Sequence, residues 1–276
     1  MSNNLKVLVV GAGMIAREYV KVLLAQNITP IVVGRGQAKA NQLKEQFPNI
    51  IVKTGGLQYF LKSNKCPNYS IVATSRADLP SSTIALINSG CKQILVEKPL
   101  TYSITEAKKI ELLAAKKGAS VCIAFNRRAY QSVLKAKELI KEDGGVSSFY
   151  FNSTEALFTI NPNDRDEIDM KYLGIGNSCH PIDTAFYLGG KPKWIECKQY
   201  GNEFPLHPTG SIFLGMGETE GGVPFSYNAD WGAPGRWSVE IMTKKRKLIF
   251  SPMEKLQEQE LNSFSIKELP LDYQLD

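Results

Sequence analysis

This sequence predicts an α/β protein of two domains, and three observations predict it. The first strand runs straight into a glycine-rich turn, "VLVVGAGMIA". Up to Phe125, short and wholly apolar strands alternate with amphipathic helices, the pattern of a doubly wound parallel sheet covered on both faces. Beyond Phe125, strands follow one another with few intervening helices, which indicates a second, mostly antiparallel sheet. The expected domains are residues 1–125 and 126–276.

The elements of the first domain follow in order. "KVLVV" is a continuous apolar strand, and "MIAREYVKVLLAQ" carries apolar residues at helical spacing. "PIVV" is the second strand, with "QAKANQLKEQF" as the helix behind it. "NIIVK", "YSIVAT" and "QILVEK" repeat the strand signal, each ahead of a helical stretch. The last of these helices has Ser103 at its start, Glu106 three residues on and Gly118 as its stop, a capping box with a glycine terminator. "SVCIAF" closes the series.

In the second domain a helix is expected from Tyr130 to Lys141, then a long strand over "SSFYFNSTEALFTI", then a helix over "GNSCHPIDTAFYLGG". Five strands follow: "KWIECKQYG", "GSIFLGM", "PFSYNADW", "RWSVEIM" and "KLIFS". "KKRK", Lys244 to Lys247, lies between the last two and is expected to be a hairpin turn with a solvated basic tip. After Pro252 an edge strand and a loose tail are expected.

Composition narrows the function. The 276 residues carry a formal charge of +6, and no basic patch is interleaved with aromatics, so nucleic acid is not an expected partner. Five scattered cysteines show neither CxxC nor Cys/His ligand spacing, so no disulfide framework and no metal site is expected. "MSNNLKVLVVGAG" lacks the apolar segment of a signal peptide, and no apolar run approaches the roughly 18 residues that span a bilayer. The expectation is a cytoplasmic protein acting on a small molecule.

The first loop points to a dinucleotide. Gly11, Gly13 and Ala16 stand at G-x-G-x-x-A spacing between the first strand and the first helix. Gly11 allows the tight turn, Gly13 lets backbone approach a pyrophosphate, and Ala16 permits close helix–strand contact, while the helix N-terminus supplies amide donors. Such a Rossmann site also draws on Met14, Ile15, Gly34, Thr74 and Glu97. NAD sites usually place a carboxylate after the second strand, but here "VVGRGQAK" offers Gly34 followed by Arg35. A guanidinium without that carboxylate suits a 2′-phosphate, with Lys39 as a helper, so NADP is the expected cofactor. The other reading keeps NAD and leaves Arg35 facing solvent.

The glycine loop, "EKP" after the fifth main strand, "FNRR" after the sixth and "HPID" in a later helix together resemble the Gfo/Idh/MocA oxidoreductases. "VATS…ALINSGCKQILVEKPL" and "APGRWSVEI" extend the resemblance over Lys6 to Pro252. It implies a Rossmann domain followed by an α/β domain on an open, mostly antiparallel sheet. It implies a reaction that oxidises or reduces a sugar, cyclitol or nucleotide-sugar, in a homodimer or homotetramer. Lys98 matches the family's catalytic lysine, His180 its histidine acid/base, and Pro99 the proline that fixes the lysine's turn, with a cis peptide in prospect. Arg128 matches a family arginine near the substrate, with Asn177 and Asp183 as further substrate-binding candidates.

The chemistry stands on its own footing. Moving hydride from a carbinol carbon requires removal of the hydroxyl proton, which an imidazole titrating near neutrality can accept. An ammonium near the same oxygen stabilises its alkoxide character in the transition state. One departure matters: where the family commonly has an aspartate four residues before the histidine, this chain has Gly176. Asp183, three residues after His180 on the same helical face, could substitute, although the family often has an aspartate there as well; the other readings are a weaker base, a different partner or a reaction that leans on Lys98. Two further readings stay open: a reductase of an imine or tetrapyrrole, and a dinucleotide-binding regulator without turnover. His207, the second histidine, lies in a proline-flanked loop and is the weaker acid/base candidate. Phe149, Phe151, Phe158, Tyr227, Trp231 and Trp237 suit either a subunit interface or ordinary core, and Tyr150 or Trp231 could stack on a sugar ring.

Overall fold

The apolar runs of the first half become strands of one parallel sheet. In the computed structural model, which describes residues 5–161, 167–202 and 210–272, the chain divides into two units, Met1–Ala124 and Phe125–Asp276. The first unit runs β1 (Val7–Val10), α1 (Met14–Ala25), β2 (Ile31–Val33), α2 (Gln37–Gln46), β3 (Ile51–Lys53), α3 (Gly56–Ser63), β4 (Tyr69–Val72), α4 (Leu79–Asn88), β5 (Gln93–Val96), α5 (Ile104–Lys117) and β6 (Ser120–Ile123). The strand order is β3-β2-β1-β4-β5-β6, every pair parallel, which is the Rossmann arrangement.

The wholly apolar strands have a simple cause, because both faces of the sheet are covered. Leu8 and Val10 join Val33, Val72 and Val96 under Leu79, Leu86 and Ile110 from α4 and α5. Val7 and Val9 point the other way, packing with Val32 and Ile71 against Ala16, Val20 and Leu43 from α1 and α2. At the start of α5 the Ser103 hydroxyl accepts the Glu106 amide at 3.3 Å, and Gly118 ends the helix at φ +60°. The reciprocal half of the box differs from the expectation. Thr101 intervenes, accepting the Ser103 amide at 3.1 Å and donating to the Glu106 carboxylate.

The second unit contains α6 (Gln131–Glu142), β7 (Ser148–Asn152), α7 (Glu167–Lys171), α8 (Leu173–Gly176) and α9 (Cys179–Gly189). It continues with β8 (Pro192–Tyr200), β9 (Ile212–Thr219), β10 (Pro224–Asp230), β11 (Ser238–Met242), β12 (Arg246–Phe250), β13 (Gln257–Glu260) and β14 (Ile266–Glu268). These strands form one sheet, β14-β13-β12-β11-β7-β10-β9-β8, in which only the central β7–β10 pair is parallel. One face packs under α9: Phe149 and Phe151 stack on Phe225 and Tyr227, and Phe186 meets Phe149, Phe151 and Phe225 edge-on. Gly215 and Gly217 lie under those rings, and a Cβ on Gly215 would come within 2.3 Å of Tyr227.

Three expectations change. The long strand after residue 147 stops at Asn152, whose side-chain oxygen takes the Thr154 amide at 2.7 Å and so turns the chain off the ladder. A single 3-10 turn, Leu157–Thr159, follows. The basic tip is only partly solvated: Arg246 turns inward and binds Asp143, whose side chain is fully buried, and Glu258. The residues after Pro252 add two paired strands to the sheet edge, so they are not a loose tail as far as Asp272. His207 lies outside the described residues. Of the six aromatics left open between interface and core, only Phe158 is exposed.

Candidate active site

Every candidate in the first unit follows the carboxyl end of a parallel strand. The Gly11–Gly13 turn comes after β1, Gly34 and Arg35 after β2, Thr74 after β4, and Glu97 and Lys98 after β5. Since β2, β1, β4 and β5 are neighbours, the topology lines these residues along one edge, where open α/β sheets bind ligands.

Gly11 sits at φ +119°, and a Cβ there would lie 2.2 Å from the Ala73 carbonyl oxygen, so no larger residue fits. Gly13 is different: nothing stands within 4 Å of where its Cβ would be. Among the described residues its lack of a side chain serves no packing, and the space beside it is open. Gly13 also caps α1 without a side-chain acceptor, and no acidic residue occupies the first turn. The amides and the dipole there fit the diphosphate of a dinucleotide. Met14 and Ile15 are exposed beside the turn, while Ala16 is fully buried against the sheet.

Gly34 has a steric reason that sequence reasoning missed. A Cβ on it would crowd the Ala12 Cβ in the glycine turn at 3.0 Å, so a larger residue would need the turn to give by a few tenths of an ångström. Arg35, mostly exposed, forms an ion pair with Asp78 at 3.2 Å, and the same Asp78 oxygen accepts the Ser75 hydroxyl at 2.5 Å. The Thr74 hydroxyl donates to the Ser75 carbonyl at 3.3 Å.

The segment after β5 is anchored on both sides of the lysine. Glu97 accepts a hydrogen bond from Tyr19 of α1 at 2.5 Å. Burial, and then the Glu97 carboxylate, push the Tyr19 phenol well above its ordinary range, so it remains a donor. Glu97 thereby ties the lysine's turn to the helix that opens at the glycine loop. On the other side the Lys98–Pro99 peptide is cis, and Pro99 and Leu100 are buried. Lys98 itself is half-buried between these two fixed points.

In the second unit His180 is the second residue of α9 and is 7% exposed. Its ring lies 5.7 Å, centroid to centroid, from the indole of Trp237. The Trp237 Nε1–H donates at 3.1 Å to Glu155, a carboxylate only 2% exposed in the segment after β7. Glu155 also accepts from the Ser178 hydroxyl and, at 2.7 Å, from the Asn177 amide. Asn177 and Ser178 immediately precede α9, so this carboxylate sits at the base of the turn that presents His180. Two guanidinium groups bear on the same indole, Arg127 at 5.2 Å and Arg236 at 4.4 Å from the ring centre.

The expected substrate contacts have internal partners. Arg128 and Asp183 form a two-pronged ion pair, Nε to Oδ2 at 2.8 Å and Nη2 to Oδ1 at 2.5 Å, and Arg128 also stacks over Tyr187 at 4.7 Å. Asp183, the candidate to stand in for the carboxylate missing at Gly176, is thus committed to Arg128 and locks α9 to the turn before α6. Asn177 is turned onto Glu155. Trp231 is buried, with its indole N–H on the Ser153 carbonyl at 3.2 Å. Sequence reasoning placed Glu155 in the middle of a strand and gave it no role. Its one signal was being the sole charged residue between Ser148 and Ile160. Among the described residues no group of three or more His, Cys, Asp or Glu side chains is placed to hold a metal ion.

Residues 5–125 match the sequence profile of the GFO_IDH_MocA family, described as an oxidoreductase family with an NAD-binding Rossmann fold. The match covers the first unit and stops at its boundary with the second. The uncharacterized oxidoreductase YdgJ of Escherichia coli is 24% identical over 198 residues, 70% of this chain and 56% of that protein. The chain thus spans just over half the length of this curated relative. In solved structures the likeness of fold extends over the second unit as well. UDP-N-acetylglucosamine 3-dehydrogenase of Acidithiobacillus ferrooxidans aligns at a TM-score of 0.76 and 14% identity over 98% of this chain and 83% of its own. A levoglucosan dehydrogenase solved with NADH and L-sorbose aligns at 0.77 and 20% identity over 96% of this chain and 79% of its own. The shared feature is the fold.

Proposed function

We propose that this chain is an NAD(P)-dependent oxidoreductase that interconverts a hydroxyl and a carbonyl on a sugar, cyclitol or nucleotide-sugar. The observation that carries the reading is Lys98. It is a half-buried lysine held between the Tyr19–Glu97 hydrogen bond and a buried proline, on the sheet edge that also carries the Gly11–Gly13 turn. A lysine serving only as a surface charge needs no such anchoring. The sugar dehydrogenases among the fold's neighbours support the substrate class.

When bound, the nicotinamide supplies or takes up the hydride. The α1 amides beside Gly13 would hold the diphosphate, with Met14 and Ile15 beside them, and Gly34 and Thr74 would flank the adenosine and the nicotinamide ends. In this reading Arg35 leaves Asp78 for a 2′-phosphate, which favours NADP over NAD. Lys98 lends its ammonium to the substrate oxygen as negative charge develops there, and His180 takes or returns the hydroxyl proton. Arg128 and Asp183 serve the substrate side by fixing α9.

Residues 1–125 act as the dinucleotide-binding domain and residues 126–276 as the substrate-binding and self-associating one. A homodimer or homotetramer is supported by exposed Trp194, Tyr200, Leu214 and Met216, which share the sheet face opposite α9. Five free cysteines suit a reducing compartment such as the cytoplasm, and no described helix is long and apolar enough to cross a membrane. The test follows nicotinamide absorbance while the protein meets NADPH or NADH and a panel of ketosugars, aldoses and nucleotide-sugars. Turnover of a panel member is expected. Tight cofactor binding with no turnover of any member would indicate a regulator instead.

A further inference from the structure

Glu155 is a buried carboxylate that the mechanism above leaves unused. Three donors converge on it: the Ser178 hydroxyl, the Asn177 amide at 2.7 Å and the Trp237 indole N–H at 3.1 Å. That is the complement of a group that only accepts. Two of the donors precede His180 by two and three residues, and the third belongs to the ring packed against the imidazole. No other role claims it, since none of its hydrogen bonds goes to a basic side chain.

We propose that Glu155 is a positioning residue for His180, holding the first turn of α9 and Trp237 in place while its buried negative charge favours the protonated imidazole. The charged groups around the ring come from several elements, and their signs show why this matters. Arg127, from the turn before α6, and Arg236, just ahead of β11, press on Trp237 and oppose a proton on His180. Arg128, from the turn before α6, and Asp183, one turn further along α9, largely cancel each other. Glu155 is the anion that offsets the two cations. Without it the imidazole would stand among positive charges and give up its proton at lower pH.

The inference rests on His180 being the acid/base group, but its test reads the imidazole directly. The sequence holds two histidines, so a His207→Gln background leaves one, whose proton NMR titration can be followed alone. Glu155→Gln is expected to lower its midpoint by about one pH unit, as loss of a nearby opposite charge should. Glu155→Asp, which keeps the charge, is expected to restore most of that fall. An unchanged midpoint in a folded Glu155→Gln protein overturns the proposal, and so does an equal fall in both variants, which would mean packing alone. Should Glu155→Gln not fold, Glu155→Asp decides: drawing the charge back from the ring is expected to lower the His180 midpoint by a fraction of a pH unit, and an unchanged midpoint overturns the proposal. In the alcohol-oxidising direction the rising limb of kcat/KM should move to lower pH together with the NMR midpoint. A midpoint that moves while His180→Ala turns over normally would leave the Glu155 coupling standing and remove the acid/base role proposed for His180.

Discussion

Gly34 and Arg35 together decide what can sit beside an adenosine ribose. Gly34 leaves the usual carboxylate position without a side chain, and a Cβ there would crowd the Ala12 Cβ at 3.0 Å. Arg35 is exposed and already paired with Asp78 at 3.2 Å, so part of its attraction for a phosphate is spent on that exchange. A charge-assisted contact to phosphate contributes on the order of 1.5–3 kcal/mol. Arg35→Ala should therefore weaken NADPH binding by roughly 10-fold or somewhat more, with NADH changing by less than about 3-fold. Asp78→Asn, which frees the guanidinium, should tighten NADPH a few-fold. Fluorescence titration of both cofactors checks the pair, and a strong NADH preference that survives in the Arg35→Ala variant would contradict the reading.

At the scale of elements, the β11–β12 hairpin is pinned from within. Asp143, at the end of α6, accepts from Arg246 at 2.9 Å and from Thr243 at 2.8 Å. Burial pushes its carboxyl up, but the hydrogen bonds from Arg246 and Thr243 outweigh it and hold the group below the usual carboxylate range. A group depressed in this way stabilises the fold above its unfolded value, and that contribution is lost as pH falls through the native value. Asp143→Asn should cost about 3 kcal/mol at neutral pH, since it leaves a half-buried Arg246 with Glu258 alone. The gap between the two proteins should narrow below about pH 4. Urea unfolding at several pH values measures both, and a gap that stays constant into acid would contradict the assignment.

The same contrast explains what could be read in the sequence. Gly11, Lys98 and His180 could be singled out as candidates because each is marked by its own strand end or helix turn and by residues a few positions away. The alternation of strands and helices was legible because the parallel sheet is buried on both faces, which forces unbroken apolar runs. Glu155 was not legible, since its meaning comes from Trp237, 82 residues further on, and from Ser178, 23 away. The true partner of Asp183 was hidden for the same reason, with 55 residues between it and Arg128. The early end of the long strand turned on one Asn152 side chain competing with the ladder.

At the scale of the whole molecule, the first sheet is closed on both faces, whereas the second presents Trp194, Tyr200, Leu214 and Met216 on the side away from α9. We propose this face as the one through which copies of the chain associate. If copies of the chain associate there, Met216→Lys should shift sedimentation toward the single-chain species without changing the melting temperature of the first unit. Unchanged sedimentation would place self-association elsewhere.

The central claim is that Lys98 works on the reacting oxygen and is not a structural charge. The most direct measurement compares Lys98→Met with the unaltered protein for both cofactor affinity and turnover on whichever sugar the panel identifies. Loss of a transition-state contact of this kind predicts turnover reduced by roughly 100-fold or more, with the cofactor dissociation constant changed by less than about 5-fold. Turnover within a few-fold of the unaltered protein would contradict the account.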